Sequence, residues 1–150
     1  MLRRRLIPVL YIKNGLIVRS EDFKVHQIMG NIISEAKRYN DWDVDELIYI
    51  DISKDKEYDL RRDDHKINSY STIDQIIKKI SKVCFMPLTF GGGIRTLEDI
   101  DMRIRNGADK ITLNTGAIIS PNLIKEASLK YGTQCVVMSI DYKIIDGQPM

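Results

Sequence analysis

Short, almost continuous apolar runs alternate along the chain with segments in which apolar residues recur at helical spacing. The runs predict strands of a parallel sheet covered on both faces, and they lie at 6–12, 46–52, 84–90, 110–115 and 134–141. A shorter strand-like segment, 16–19, belongs to a long loop or small hairpin that follows a predicted turn at Asn14 and Gly15. The helical spacing predicts amphipathic helices over 31–40, from Ser71 or Thr72 to 80, over 96–106, and after the Ser120 cap. Four βα units and a fifth strand therefore predict an α/β fold with right-handed crossovers.

Three consecutive glycines, Gly91, Gly92 and Gly93, separate the third of these strands from the next helix. Glycine permits positive φ angles and the close approach of another atom, so this glycine turn can expose several N–H groups to one anion. A phosphate is the obvious candidate. The alternative is a tight connection in which glycine serves only the turn. The turn matches neither the dinucleotide-binding nor the nucleoside-triphosphate motif.

Two architectures fit the alternation, an open doubly wound sheet and part of a (βα)8 barrel. The polar residues favour the barrel, because they follow the carboxyl ends of successive strands, where barrel enzymes gather their active sites. They are Tyr11, Asp51, the glycine turn, Asn114, Thr115 and Asp141. A closed barrel usually needs about 200 residues or more. We therefore predict one partial domain over residues 1–150, the N-terminal half of a TIM barrel plus its fifth strand.

Composition narrows the class of protein. The formal net charge of +2, from 23 basic and 21 acidic residues, is too balanced to indicate a nucleic-acid or membrane-surface partner. No apolar run reaches the length of about 18 residues that suggests a membrane span, and no signal-peptide pattern follows the basic cluster at 3–5. We expect a cytoplasmic protein whose Cys84 and Cys135 are buried free thiols, and we predict no metal site and no cofactor.

Several motifs together give a specific resemblance. They are Arg5, 45–47, 91–95, 107–110, 113–115, 134–137 and 140–141. With these motifs the sequence resembles the cyclase subunit of imidazole-glycerol-phosphate synthase, in register over the whole chain apart from extra length after the second strand. The resemblance implies a (βα)8 barrel that closes an imidazole ring on a substrate with a phosphate at each end. It also implies a glutaminase partner, docked on the bottom of the barrel, that supplies ammonia.

The resemblance assigns roles to individual residues. Gly93, Asn114 and Thr115 correspond to phosphate-binding positions, and Asp141 corresponds to one of two aspartates that act as general acid and base. Arg5, Glu46 and Lys110 correspond to members of the charged ring through which ammonia enters. Asp109 corresponds to a position that contacts the glutaminase. A solvated ion-pair cluster is the alternative explanation of the three ring residues. We also predict substrate contacts at Gly91, Gly92, Asp51 and Arg19.

The first strand departs from the family pattern. The family's internal twofold repeat aligns Tyr11 with Asp141, so a tyrosine holds the position of the second catalytic aspartate. Ring closure needs proton donation and proton removal at separate sites, a task that two carboxylates in different environments can divide. A phenol, with a reference pKa of about 10, is a poor base near neutral pH but can donate a hydrogen bond or a proton.

The loop after the second strand is the other departure. Together with Tyr11, its segment 58–64 resembles a divergent branch of the family that is encoded with surface-polysaccharide genes. That branch is thought to supply ammonia for converting a nucleotide-activated acetamido sugar into an amidino sugar. Arg61 and Arg62 suit a diphosphate or carboxylate, although an exposed loop of paired charges is the alternative.

These observations lead to an ordered set of functional expectations. The leading one is an ammonia-channelling barrel subunit of a glutamine-dependent amidotransferase complex that acts on a phosphorylated or nucleotide-sugar substrate. The second is the histidine-pathway cyclase itself, and the third is a non-catalytic scaffold that activates the glutaminase. A phosphosugar isomerase of the sister family is disfavoured, because that family also uses an aspartate at the position of Tyr11.

Overall fold

Seven strands form one sheet in the computed structural model, which describes residues 3–22, 24–59, 70–145 and 148–149. The strands are β1 (Val9–Lys13), β2 (Leu16–Glu21), β3 (Val25–Gly30), β4 (Leu47–Asp51), β5 (Leu88–Gly91), β6 (Lys110–Leu113) and β7 (Val136–Met138). Their order is β3-β2-β1-β4-β5-β6-β7. The run from β1 through β4, β5, β6 and β7 is parallel, whereas β2 and β3 add an antiparallel hairpin at one edge. The parallel order confirms the predicted α/β fold and is consistent with a partial TIM barrel.

Helices follow the parallel strands as the apolar spacing predicts. They are α1 (Ile32–Asp41), α2 (Ile73–Ile80), α3 (Leu97–Arg105), α4 (Thr115–Ile119) and α5 (Asn122–Tyr131). The cap of α3 holds this helix directly behind the glycine turn, because Thr96 Oγ1 accepts from the Asp99 N–H while Asp99 Oδ2 accepts from the Thr96 N–H. This is the capping box that the spacing of those two residues predicts. No helix among the described residues is long and apolar enough to cross a membrane.

The segment after β1, for which the sequence allows a long loop or a small hairpin, forms a hairpin at the edge of the sheet. Asn14 and Gly15 have φ angles of 47° and 77°, which are the positive values that a tight hairpin turn requires. The predicted turn is therefore confirmed. The two strands on either side pair from Tyr11 with Val18 to Lys13 with Leu16.

Four local expectations were wrong. The strand predicted at 84–90 begins only at Leu88, because the Asn40 side chain holds the preceding segment as a loop by accepting from the Phe85 N–H. The strand predicted at 134–141 is limited to β7, and a short 3-10 turn precedes it. Pro121, not Ser120, caps α5, since the extra helix α4 occupies the connection. Finally β8 (Ile144–Ile145) and β9 (Gln148–Pro149) form a small antiparallel ladder where the sequence indicated no element.

The hydrophobic core lies between the sheet and its helices. The first cluster packs the predicted isoleucine stripe of α2 against Leu47, Tyr49 and Phe90, and the rings of Tyr49 and Phe90 stack with centroids 5.3 Å apart. A second cluster packs α3 and α5 against β6. Successive residues of a strand face opposite sides of a sheet. The residues before and after Tyr49 and Phe90 along their strands therefore face away from the helices that cover this core.

Three strands approach one another closely at the glycine turn. A Cβ atom at Gly91 would lie 2.2 Å from Thr112 Cγ2 on β6, and one at Gly92 would lie 1.9 Å from the main-chain oxygen of Asp51 on β4. Gly92 also has a φ of +91°. Packing therefore requires glycine at both positions. At Gly93, with a φ of +64°, the one described atom within 4 Å of a Cβ is Arg103 Nη2, at 3.9 Å.

This contrast gives a stability prediction. Gly92→Ala should lower the free energy of unfolding by at least about 3 kcal/mol, because the new methyl group collides with the β4 main chain in a left-handed conformation. Gly93→Ala is the matched control and should cost only about 1–2 kcal/mol, the penalty for alanine in that conformation. Urea unfolding followed by circular dichroism measures both. Equal losses in the two variants would contradict this account of the packing.

Candidate functional site

A cavity of about 250 Å³ opens at the carboxyl ends of the parallel strands. The residues that line it come from β1, from the end of β4, from the glycine turn and from the segments after β6 and β7. Among them are Tyr11, Ile50, Ile52, Gly92, Gly93, Asn114, Thr115, Ser139 and Asp141. The structure thus brings together six of the predicted site residues, at the edge of the sheet where the barrel interpretation expects them.

Asp141 and Asn114 form the polar pair of this cavity. Asn114 Nδ2 donates to Asp141 Oδ2 at 2.7 Å, so a side chain that follows β6 orients the carboxylate that follows β7. Asp141 itself is exposed, which keeps it in contact with solvent and accessible to a bound molecule. The amide leaves the rest of the carboxylate available to accept or deliver a proton.

Tyr11 shares the cavity with Asp141. It lies on β1, opposite Ile50 in the parallel pairing with β4, and it is partly buried. The structure therefore places Tyr11 in the same cavity as Asp141, Asn114 and Thr115.

The residues of the glycine turn differ in their surroundings: packing fixes Gly91 and Gly92, and Gly92 and Gly93 line the cavity. Gly91 is buried in the sheet and Gly92 is fixed against Asp51, so these two follow the turn-only interpretation. Gly93 lines the cavity and is exposed, and a Cβ there would meet Arg103 Nη2 at an ordinary contact distance of 3.9 Å. An anion interpretation of the turn therefore rests on Gly93 above all.

The predicted contacts Asp51 and Arg19 are not among the residues that line the cavity. The Asp51 carboxylate accepts from the Ser53 N–H at 2.9 Å and from the Tyr58 hydroxyl at 2.7 Å. Tyr58 is buried, and this burial, with the nearby Asp51 charge, raises the pKa of its phenol far above the ordinary range, so it remains a neutral donor. Arg19 is exposed on β2, opposite Gln27. Arg61 and Arg62 lie outside the described residues.

Sequence reasoning missed Arg103, which supports the turn from behind. Its side chain is buried, and Nη2 donates to the Gly92 carbonyl at 2.7 Å while Nη1 donates to the Asp99 carbonyl at 3.0 Å. The signal was present in the pattern, because position 103 lies three residues after Ile100 on the apolar stripe of α3. A charged residue on a buried stripe is unusual enough to mark a specific interaction.

A charged cluster lies at the opposite end of the sheet, near the amino ends of β4 and β6. Glu46 is 3% exposed and accepts from Lys110 Nζ at 2.7 Å, from Thr89 Oγ1 at 2.7 Å and from Arg5 Nη1 at 3.5 Å. The three residues predicted as the ammonia ring therefore meet, around a buried carboxylate. Asp109, next to Lys110, accepts from the Leu88 N–H at 2.8 Å and is otherwise exposed.

The pKa of Glu46 reflects competing effects. Burial raises it, but the hydrogen bonds from Lys110 and Thr89 and the charges of Lys110 and Arg5 together outweigh burial, so the pKa lies below its ordinary value. Within the described residues, no group of three or more His, Cys, Asp or Glu side chains could hold a metal ion.

A prediction about pH follows from this cluster. A lowered carboxyl pKa adds stability above the ordinary pKa of about 4.3, and this stability is lost as the pH falls through the folded-state pKa. Glu46→Gln should therefore lower the free energy of unfolding by about 1–3 kcal/mol at pH 7, and the difference from the unsubstituted protein should shrink below about pH 4. Urea unfolding between pH 3 and 7 tests this, with the exposed Glu126→Gln as control. A difference that stays constant over this range would contradict the assignment.

Comparison with known proteins gives a family match over most of the chain. Residues 5–148 match the sequence profile of a family described as "Histidine biosynthesis protein". Three similar proteins are each named imidazole glycerol phosphate synthase subunit HisF. They come from Exiguobacterium sp. (40% identical over 148 residues, 99% of this chain and 54% of the relative), Campylobacter concisus (43% over 143 residues, 95% and 53%) and Staphylococcus aureus (39% over 141 residues, 94% and 52%).

The chain spans about half the length of the curated relatives it matches. The profile match covers nearly all of the chain, and the identities are sustained over the same length. The chain therefore belongs to the histidine biosynthesis protein family, as a HisF-like member.

Proposed function

We propose that this chain supplies the first half of the cyclase barrel of an imidazole glycerol phosphate synthase, which uses ammonia to close the imidazole ring. The observation that carries the proposal is the cavity in which Gly93, Asn114, Thr115 and Asp141 meet at the carboxyl ends of the strands. The names of the relatives support the histidine-pathway reaction over the sugar amidation that the first-strand tyrosine and the long loop indicate in the sequence.

Substrate binding would use the glycine turn and the end of β6. Gly93 is exposed, and it lines the same cavity as Asn114 and Thr115. Main-chain N–H groups of glycine and side-chain amide and hydroxyl groups are the donors that phosphate oxygens accept. We assign one substrate phosphate to these three residues.

Proton transfer would fall to Asp141. A carboxylate is an effective general acid or base when a fixed hydrogen bond orients it toward the reacting atoms, and Asn114 supplies that bond. Tyr11 lines the same cavity and can donate a proton or a hydrogen bond, but as a phenol it is poorly suited to remove one. In this assignment Asp141 is the base of ring closure and Tyr11 is a donor.

Ammonia would enter at the other end of the sheet, past the cluster of Arg5, Glu46 and Lys110. The arrangement supports a gate because the Glu46 carboxylate is buried while the Arg5 side chain is 58% exposed and makes only a 3.5 Å contact. A glutaminase would dock on this face. Asp109 lines a surface pocket there together with Phe85, whose side chain is 89% exposed.

The sugar-amidation branch stays the second candidate, and two observations favour it. Tyr11, which the resemblance aligns with a catalytic aspartate of the cyclase, lines the cavity, and the segment after β4 carries Tyr58, whose hydroxyl donates to Asp51. In this candidate the same ammonia path would serve a nucleotide-activated acetamido sugar. A scaffold that only activates a glutaminase is the third reading, and it assigns no role to the Asn114 and Asp141 pair.

Asp141→Asn tests the catalytic assignment. In the purified gene product that carries this chain, with ammonium chloride as nitrogen source, the variant should form imidazole glycerol phosphate with a kcat lower by about 10²–10⁴-fold, because the proton acceptor is lost. KM should change little. Asp41→Asn, at the exposed end of α1, is the control. A kcat within twofold of the unsubstituted protein would rule out the assignment of Asp141 as the base.

Tyr11→Phe tests the donor role of Tyr11, and the products of the unsubstituted protein separate the two enzymatic candidates. Removing the phenol while keeping the ring should lower the rate of imidazole glycerol phosphate formation by about 10² if Tyr11 is a proton donor, whereas the exposed Tyr142→Phe should be neutral. The first candidate fails if the unsubstituted protein forms no imidazole glycerol phosphate at saturating ammonia but supports amidation of a nucleotide-activated acetamido sugar.

A further inference from the structure

Arg103 is a buried cation whose hydrogen bonds end on main-chain carbonyls. Arg103 is 4% exposed, and its guanidinium donates to the carbonyls of Gly92 and Asp99. Among the described residues, Nε has no partner and no carboxylate lies within ion-pair distance of the guanidinium. The guanidinium stays protonated in proteins, so a full positive charge lies directly behind the glycine turn.

This charge is balanced at longer range. Burial lowers the pKa of Arg103, and the carboxylates of Asp99, Asp51 and Asp74 raise it by a smaller amount. The pKa therefore lies below its usual value. Tyr58 closes the same region from the segment after β4. An apolar side chain on this stripe of α3 would avoid the cost of burying a charge, so packing of α3 does not account for arginine at position 103.

The bond to Gly92 fixes the orientation of a whole peptide group. The carbonyl of Gly92 and the N–H of Gly93 belong to one planar trans peptide, and they point in opposite directions. Arg103 is not among the residues that line the cavity, whereas Gly93 is. Because Arg103 holds the carbonyl on its own side at 2.7 Å, the N–H of Gly93 points away from Arg103.

Without such a bond this peptide group has little to hold it. The residues on both sides are glycines with positive φ angles, +91° and +64°, and glycine rotates more freely than any other residue. A rotation of the peptide would exchange a donor for an acceptor at the wall of the cavity. A carbonyl oxygen there would repel an anion.

We propose that Arg103 is a positioning residue that holds the N–H of Gly93 toward the cavity and thereby sets the affinity for an anionic phosphate group. The inference rests on the phosphate site of the proposed function and adds the residue that creates it. Arg103 does not touch the ligand. It acts through the Gly92–Gly93 peptide, and its charge adds a favourable field behind the donor.

The test is a titration of the ¹⁵N-labelled chain with inorganic phosphate at constant ionic strength, following the Gly93 amide resonance. Arg103→Met removes the donor and the charge, and it should weaken phosphate binding by about tenfold or more while shifting the Gly93 resonance in the unliganded protein. Arg103→Lys keeps the charge with a single donor group and should show a smaller loss. Arg105→Met, which removes an exposed arginine from the same helix, should bind within about twofold of the unsubstituted chain.

Different outcomes would contradict the phosphate site of the proposed function and the positioning role of Arg103. If the unsubstituted chain binds phosphate without any change at Gly93, the phosphate site of the proposed function fails, and the role of Arg103 fails with it. If Gly93 responds but a folded Arg103→Met variant binds phosphate as tightly as the unsubstituted chain, the positioning role alone is overturned. Should the Met variant not fold, Arg103→Lys decides, because unchanged affinity in that variant would overturn the role equally.

Discussion

The close approach of β4, β5 and β6 at the glycine turn is the constraint on which the arrangement at the carboxyl ends of the parallel strands depends. No side chain fits at Gly91 or Gly92, because Thr112 on β6 and the main chain of Asp51 on β4 already fill that space. The turn is thereby fixed in the sheet, and the capping box of Thr96 and Asp99 starts α3 immediately behind it. Gly93 lines the cavity together with Gly92 but is not fixed by such close contacts, so a feature required by packing also places a potential anion site.

Two polar arrangements occupy opposite ends of the same parallel strands. The carboxyl ends hold the cavity with Asp141 and Asn114 in contact, and the amino ends hold the buried Glu46 with its basic partners. Parallel strands make this possible, because each strand delivers one residue to each end. In the proposed function the first arrangement carries the chemistry and the second admits ammonia, which gives one sheet two separate tasks.

The sequence predicted most of the frame and part of the site. Helical spacing identified the buried stripe of α2, and residue types at strand ends identified the cavity residues Asn114 and Asp141. Asp51 was assigned to the site because it ends a strand, yet the cavity is lined by Ile50 and Ile52 on either side of it. Strand alternation decides such cases, but only once the facing of the strand is known. The extra helix α4 was missed because it is too short to show a repeating pattern.

The roles of the individual glycines and of Arg103 also could not be predicted from the sequence alone. Three glycines look alike in a sequence, and only the positions of atoms on β4 and β6 separate Gly91 and Gly92, where packing requires glycine, from Gly93, where it does not. The most direct test is a crystal structure of the chain grown with inorganic phosphate. The account predicts a phosphate between the N–H of Gly93 and the side chains of Asn114 and Thr115. An open cavity with phosphate bound elsewhere, or with a carbonyl of the turn pointing into it, would contradict the account.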